Sequence, residues 1–241
     1  MLPNSLIPAG GEPGKVIVQW RLYEDSAYAI NISKYIGASH IMIGFIYPPS
    51  KPPAHVIKPY VELYRNNGFS VYLWTIIKNV PLPESGAFAD YFELDIEGIG
   101  IDLDPTVSAI KSEKEAWLIK IADAAQLKGK KLAYYHGDGL SDVNSLTLVQ
   151  HGLIVWAQWT ALQWWLPKSW DLPQIYAQCA VWNMSPEQPG KYTTPDYIRN
   201  WNASMPGKPA GIVWFLSTAN HKPTEEQIQT MKETSSYFLQ A

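Results

Sequence analysis

The chain has 241 residues, 46% of them hydrophobic, which is enough for a large core and suits one barrel or two small domains. Its 19 basic and 22 acidic residues give a formal net charge of -3 and are spread without blocks, leaving no electrostatic footprint for nucleic acid or an anionic membrane. Cys179 is the single cysteine, which excludes an intramolecular disulfide framework and a cysteine-based zinc site.

Residues 1–14 read as an N-terminal extension. They lack the basic start and apolar core of a secretory signal, and no apolar run in the chain is long enough to span a bilayer. A soluble chain without a leader is the expectation, whether secreted after processing, released as a phage or virus lysin, or cytoplasmic. The first β-rich run, KVIVQW, ends on Trp20 and precedes a helical pattern from about Asp25 to Ile36. HIMIGFIY ends on Tyr47 and is followed by a helix over about Ala54 to Asn66. SVYLWTII carries Trp74 in the third run. The connection from Val80 to Asp90 has room for only a turn or two, and YFELDIEG, residues 91–98, then reads as the fourth strand.

Ser112 with Glu115 makes a capping-box pattern, after which Trp117, Ile121 and Ala124 recur at helical spacing until Gly129. KLAYYHG, GLIVWAQW, YAQCAVW and GIVWFLS supply four more strands, with a helix expected over about Thr194 to Trp201. Thr224 with Gln227 opens a last helix. Runs that are continuously apolar rather than alternating suit strands covered on both faces. Eight of them alternating with helices predict an α/β fold, a single (β/α)8 TIM barrel over the whole chain. No Gly-rich dinucleotide turn follows the first strand, which weighs against a doubly wound sheet.

Active sites of such barrels lie at the C-terminal strand ends. Those ends carry Trp20, Tyr47, Trp74, the Asp95/Glu97 pair, Tyr135 with His136, Gln158 with Trp159, Trp182 with Asn183, and Trp214. The chain has 11 Trp and 14 Tyr but only 6 Phe, and flat rings with a polar edge suit stacking on sugars as well as filling a core. Carboxylates two apart on a strand share a face, and neighbouring carboxylates disfavour double ionisation, which keeps a proton available near neutral pH. Glycosidic cleavage requires such a general acid. The bland alternative is that these acids are solvated or paired with Lys or Arg.

The segment DYFELDIEG, residues 90–98, resembles the fourth-strand signature of glycoside hydrolase family 18, the chitinases, in which aspartates at spacings of three and two precede a glutamate by two. Asp90 matches the first aspartate, Glu93 stands where the second is expected, Asp95 matches the third and Glu97 the catalytic glutamate. IGF at residues 43–45, GKKLAYY, VWAQW and AGIVWF are similar to the second, fifth, sixth and last strands of the hevamine-like members. The resemblance implies that Glu97 protonates the glycosidic oxygen while the substrate's own N-acetyl carbonyl attacks the anomeric carbon and Asp95 orients that group. It implies Gln158 and Tyr135 as hydrogen-bonding partners and Trp214 as the floor beneath the sugar. DIE also resembles the Asp-x-Glu of the lysozyme-type muramidases, glycoside hydrolase family 25.

Downstream, GIGIDLDP places Asp102 and Asp104 two apart. It reads as a βα loop, because Pro105 ends the run and no glutamate follows. The other possibility is that it is itself the fourth strand, with Asp104 in the catalytic place and the preceding residues helical. Calcium binding there has too few ligands in sequence. Trp159, Trp164, Trp165 and Trp170 form either a sugar-stacking wall or a loop core. No serine-hydrolase elbow, His-Glu-x-x-His or phosphate loop is present, and no metal or cofactor is expected. The expected function is hydrolysis of β-linked N-acetylated glycans, chitin-like or peptidoglycan-type, by a retaining mechanism, with a non-catalytic carbohydrate-binding barrel as the alternative. The expected partner is an oligo- or polysaccharide bound by a monomer, with neither nucleic acid nor membrane involved.

Overall fold

The computed structural model describes residues 15–47, 51–78, 80–104, 106–136, 147–148, 151–158, 175–181, 211–216 and 222–239. Strands β1 (Lys15–Arg21), β2 (His40–Tyr47), β3 (Ser70–Ile77), β4 (Gly98–Leu103), β5 (Lys131–His136), β6 (Ile154–Gln158), β7 (Ile175–Val181) and β8 (Gly211–Leu216) pair in sequence order and close into a barrel. Every pairing is parallel, including β1 with β8. The eight-stranded barrel expected from the alternation of runs is the architecture found.

Helix ends follow local chemistry. The helix α1 (Ser26–Ile36) begins where the Asp25 carboxylate accepts the Tyr28 N–H at 3.0 Å, and it stops at Gly37, whose φ of 75° suits a residue without Cβ. The helix α2 spans Ala54–Asn66. Residues Lys111–Leu127 form α3, but its entry is held by the Glu113 carboxylate, which accepts the Ile110 N–H at 3.0 Å. The expected Ser112–Glu115 pair therefore lies two residues too late. The helix α4 (Glu225–Leu239) has the reciprocal box foreseen for it: Thr224 N–H donates to Gln227 Oε1 at 2.7 Å, and Gln227 N–H to Thr224 Oγ1 at 3.2 Å. The segment from Thr194 to Trp201 and residues 1–14 lie outside the described residues.

Strand parity sorts the core into two layers. Ile17, Met42, Tyr72, Trp74, Ala133, Ile154 and Val213 pack together inside the barrel. Val16, Val18, Trp20, Ile41, Ile43, Ile99, Ile101, Leu132, Ile212 and Trp214 belong to the larger cluster between the sheet and its helices. At the N-terminal end the interior is closed by His40, whose ring lies 5.7 Å from that of Tyr72 and whose Nδ1 is 2.7 Å from Ser39 Oγ. Burial, followed by the charge of Lys15, lowers the His40 pKa to about 4.

The fourth strand is displaced from the sequence expectation. Ala89–Glu93 form a short 3-10 helix, and β4 starts only at Gly98. The topology supplies the reason. A parallel crossover needs a dozen or more residues to carry the chain back to the start of the next strand, and a strand beginning at residue 91 would leave little beyond that minimum after β3. Here residues 78–97 make the return, and the Glu97 N–H joins the ladder by donating to the Val71 carbonyl at 2.7 Å.

Candidate functional site

The C-terminal mouth of the barrel is built by the residues that continue the inward parity. Across neighbouring strands Gly44, Trp74 and Gly100 are in register, and one step higher Ile76 pairs with Asp102 and Asp102 with Tyr135. Gly44 leaves room for the indole: a Cβ there would lie 2.8 Å from Trp74 Cε3 and 3.4 Å from the Trp20 carbonyl oxygen. Trp74 is itself buried and packs with the inner layer one step below Asp102. Asp104 extends β4 by donating its N–H to the Ile77 carbonyl at 3.0 Å, so Asp102 and Asp104 stand two apart on one strand edge.

The two carboxyls have opposed environments. Burial, reinforced by the negative charge of Asp104, raises the Asp102 pKa to about 8, so this acid carries a proton at neutral pH. At Asp104 partial burial pushes upward, but hydrogen bonds from Thr106 and the Lys78 charge outweigh it and hold the pKa below the ordinary carboxylate value. Thr106 clasps Oδ1 of Asp104 with its N–H at 2.9 Å and its hydroxyl at 2.6 Å. A proton holder beside an ionised carboxylate is the arrangement that acid–base and electrophile-stabilising chemistry uses. Arg21, at the end of β1, and Lys78, just past β3, add two half-buried cations to the same end of the barrel.

Several residues expected at the mouth lie elsewhere. Asp95 and Glu97 precede the first residue of β4 and so lie at the N-terminal end, opposite the mouth. The Asp95 side chain is 71% exposed and pairs with Arg65 Nε at 2.8 Å, Glu97 is 3.9 Å from Lys131 Nζ, and Glu93 pairs with Lys128 Nζ at 2.7 Å. These are the surface ion pairs of the bland alternative, and the catalytic reading of Asp95 and Glu97 rested on a strand end they do not occupy. The expectation that Asp102 and Asp104 form a βα loop is likewise corrected, since Asp102 lies within β4.

Two tryptophans fall on the wrong face. Trp20 is 1% exposed and packs in the outer layer, its ring 5.5 Å from that of Tyr28. Trp214 is fully buried there too, and its Nε1–H donates to Ser235 Oγ on α4 at 2.9 Å, so it is no sugar floor. Replacing Ser235 with Ala should orphan that buried N–H and lower unfolding stability by about 1–3 kcal/mol in a urea titration, with no effect on the mouth.

Of the remaining expected residues, Tyr47 ends β2, Tyr135 and His136 end β5, and Gln158 ends β6 in register with Gln178. Trp159, Trp182 and Asn183 lie outside the described residues, as do Trp164, Trp165 and Trp170. Among the described residues no group of three His, Cys, Asp or Glu side chains is placed to hold a metal ion. No described helix is long and apolar enough to cross a membrane.

No protein-family model matches the chain, and no curated protein matches it. Solved structures do share its fold. A chitinase from Chromobacterium violaceum superposes with a TM-score of 0.61 at 8% identity, over 92% of this chain and 98% of the other. A xylanase and amylase inhibitor protein, XAIP-III, gives 0.58 at 14% identity, over 95% and 98%. A xylose isomerase domain protein from Salmonella typhimurium gives 0.57 at 10% identity, over 95% and 98%. Enzymes of different chemistry and an inhibitor share this barrel, so the likeness defines the fold and function has to be argued from the mouth.

Proposed function

We propose that the chain is a glycoside hydrolase of β-linked N-acetylated glycans whose chemistry is centred on Asp102 and Asp104. The observation that carries this reading is the buried, protonated Asp102 beside the ionised Asp104 at the C-terminal end of β4. Asp102 donates its proton to the glycosidic oxygen. Asp104 stabilises the cation formed when the substrate's N-acetyl carbonyl attacks the anomeric carbon. Tyr135 and Gln158, at the ends of β5 and β6, are proposed to hydrogen-bond the acetamido group, with Tyr47 and His136 at the rim. Moved seven residues downstream, the family 18 signature falls on Glu97, Gly100, Asp102 and Asp104: only Asp102 keeps the residue type, and Asp104 stands where that signature has its proton-donating glutamate, so the assignment of the proton to Asp102 rests on the environments of the two acids alone.

One observation favours a binding protein without catalysis. Asp104 is a methylene shorter than that glutamate, and both Thr106 donors are engaged at its Oδ1. Chitotetraose and peptidoglycan glycan strands, incubated with wild type, Asp102→Asn and Glu97→Gln, distinguish the readings. Wild type should release products, Asp102→Asn should lose about a hundredfold or more in rate, and Glu97→Gln should be unaffected. Binding without product would leave the carbohydrate-binding reading. Neither binding nor product would end the glycan assignment altogether, and loss of activity in Glu97→Gln would return the site to the other end of the barrel.

A further inference from the structure

Arg21 is the last residue of β1, and strand alternation puts it on the inner face with Ile17 and the buried Gln19. The stagger of the closed barrel fixes its height. From Asp102 the ladder runs through Tyr135, Trp156, Tyr176 and Gly211 to Lys15, the first residue of β1. In the other direction it runs from Gly100 through Trp74 and Gly44 to Arg21 itself. Shared evenly over the strands, that offset sets Asp102 level with the last residues of β1. Arg21 and Asp102 therefore stand on opposite sides of the lumen near the same height.

The charges at this end of the lumen do not balance. Asp102 carries a proton at neutral pH, and the Asp104 carboxylate is answered by the charge of Lys78. Arg21 is half-buried, and among the described residues it forms no ion pair within 4.0 Å. Glu24, in the turn that follows β1, feels the Arg21 charge from beyond that distance. A guanidinium cannot shed its proton, so partial desolvation without an opposite charge in contact carries a standing cost. An anionic group brought in by a ligand would offset it. The planar fork of guanidinium donors matches the two oxygens of a carboxylate, and the mouth is where the strand end presents that fork.

We infer that Arg21 selects an acidic substrate: its guanidinium binds a carboxylate carried by the glycan, across the lumen from the acid that protonates the glycosidic oxygen. This rests on the glycan reading proposed above and narrows it. Neutral chitin offers Arg21 no charge to pair with, whereas a peptidoglycan-type strand carries a lactyl carboxylate on every second sugar. Arg21 is thus a specificity-determining residue and takes no part in the proton transfer itself.

Ligands that differ in that charge test the assignment. Peptide-free peptidoglycan tetrasaccharide, the same tetrasaccharide with its carboxyls converted to amides, and chitotetraose are titrated calorimetrically into Asp102→Asn, which avoids turnover, with and without Arg21→Gln. The acid should bind about tenfold more tightly than its amide and than chitotetraose. Arg21→Gln should erase this preference while changing the affinity for the two neutral ligands by no more than about twofold. The comparison of acid with amide needs no change at Arg21, so it decides the matter even where Arg21→Gln fails to fold. Equal affinities for acid and amide, or a preference that survives Arg21→Gln, would overturn the role of Arg21 and leave the glycan reading standing. Binding of none of these ligands would overturn the glycan reading and the selection by Arg21 with it.

Discussion

Replacing Asp102 with Asn should make the protein more stable at neutral pH while removing the glycan hydrolysis proposed for it. The folded chain keeps a proton on Asp102 up to about pH 8, whereas an unfolded aspartate loses it near 3.8. Between those values the folded state binds more protons, so stability falls as pH rises, by about 1.4 kcal/mol per unit. Over the whole window this amounts to at most about 6 kcal/mol, and less in practice because the Asp102 side chain keeps some exposure. Asparagine has the same shape and no charge to suppress.

His40 acts with the opposite sign at the other end of the barrel. Its pKa falls from 6.5 to about 4, so within that interval the unfolded chain holds the extra proton and stability rises with pH. The two slopes oppose each other up to about pH 6.5, and Asp102 acts alone from there to about pH 8. Urea unfolding across this range should show a wild type that is nearly level and then declines. Asp102→Asn should rise to about pH 6.5 and then stay level. A variant that still declines above that point would show that Asp102 is not the buried acid of the mouth.

What the sequence made legible was whatever local chemistry decides. Asp25 and the Thr224–Gln227 pair announce helix starts because a cap is satisfied within a few residues, and the first three strands announce themselves by β-branched runs. The facing of each strand was not legible. Strands covered on both sides carry no period-two signal, so nothing in KVIVQW or GIVWF marks Trp20 and Trp214 as outer-layer residues rather than mouth residues.

The fourth strand failed for a related reason. YFELDIE has the composition of a strand, and only the distance the chain must travel from the end of β3 to the bottom of the barrel turns it into part of a crossover. The one usable signal was Gly98 and Gly100 leading at strand spacing into Asp102 and Asp104. Pro105 argued against it, yet it marks where the run ends and not that no run precedes it.

Gly98→Ala should be among the most damaging single substitutions in the described barrel, and it discriminates directly between the two placements of the fourth strand. A Cβ at Gly98 would sit far inside van der Waals contact distance of the Lys131 carbonyl oxygen, with the Lys131 carbon at 2.8 Å and nitrogen at 3.0 Å. All three are backbone atoms of β5, fixed there by the Lys131 N–H to Glu97 carbonyl bond at 2.9 Å and by the Gly98–Lys131 register. No rotamer change relieves the clash. One strand must move away from the other at the closed bottom of the barrel, where His40 and Tyr72 already fill the interior. The expected cost is about 3 kcal/mol or more, at the upper end of overpacking substitutions because the obstacle is backbone. Had the strand ended at Glu97, residue 98 would lie in an open loop above the mouth, and alanine there would change stability by no more than about 0.5 kcal/mol. A urea midpoint for Gly98→Ala indistinguishable from wild type would therefore return Asp95 and Glu97 to the mouth and remove Asp102 and Asp104 from it.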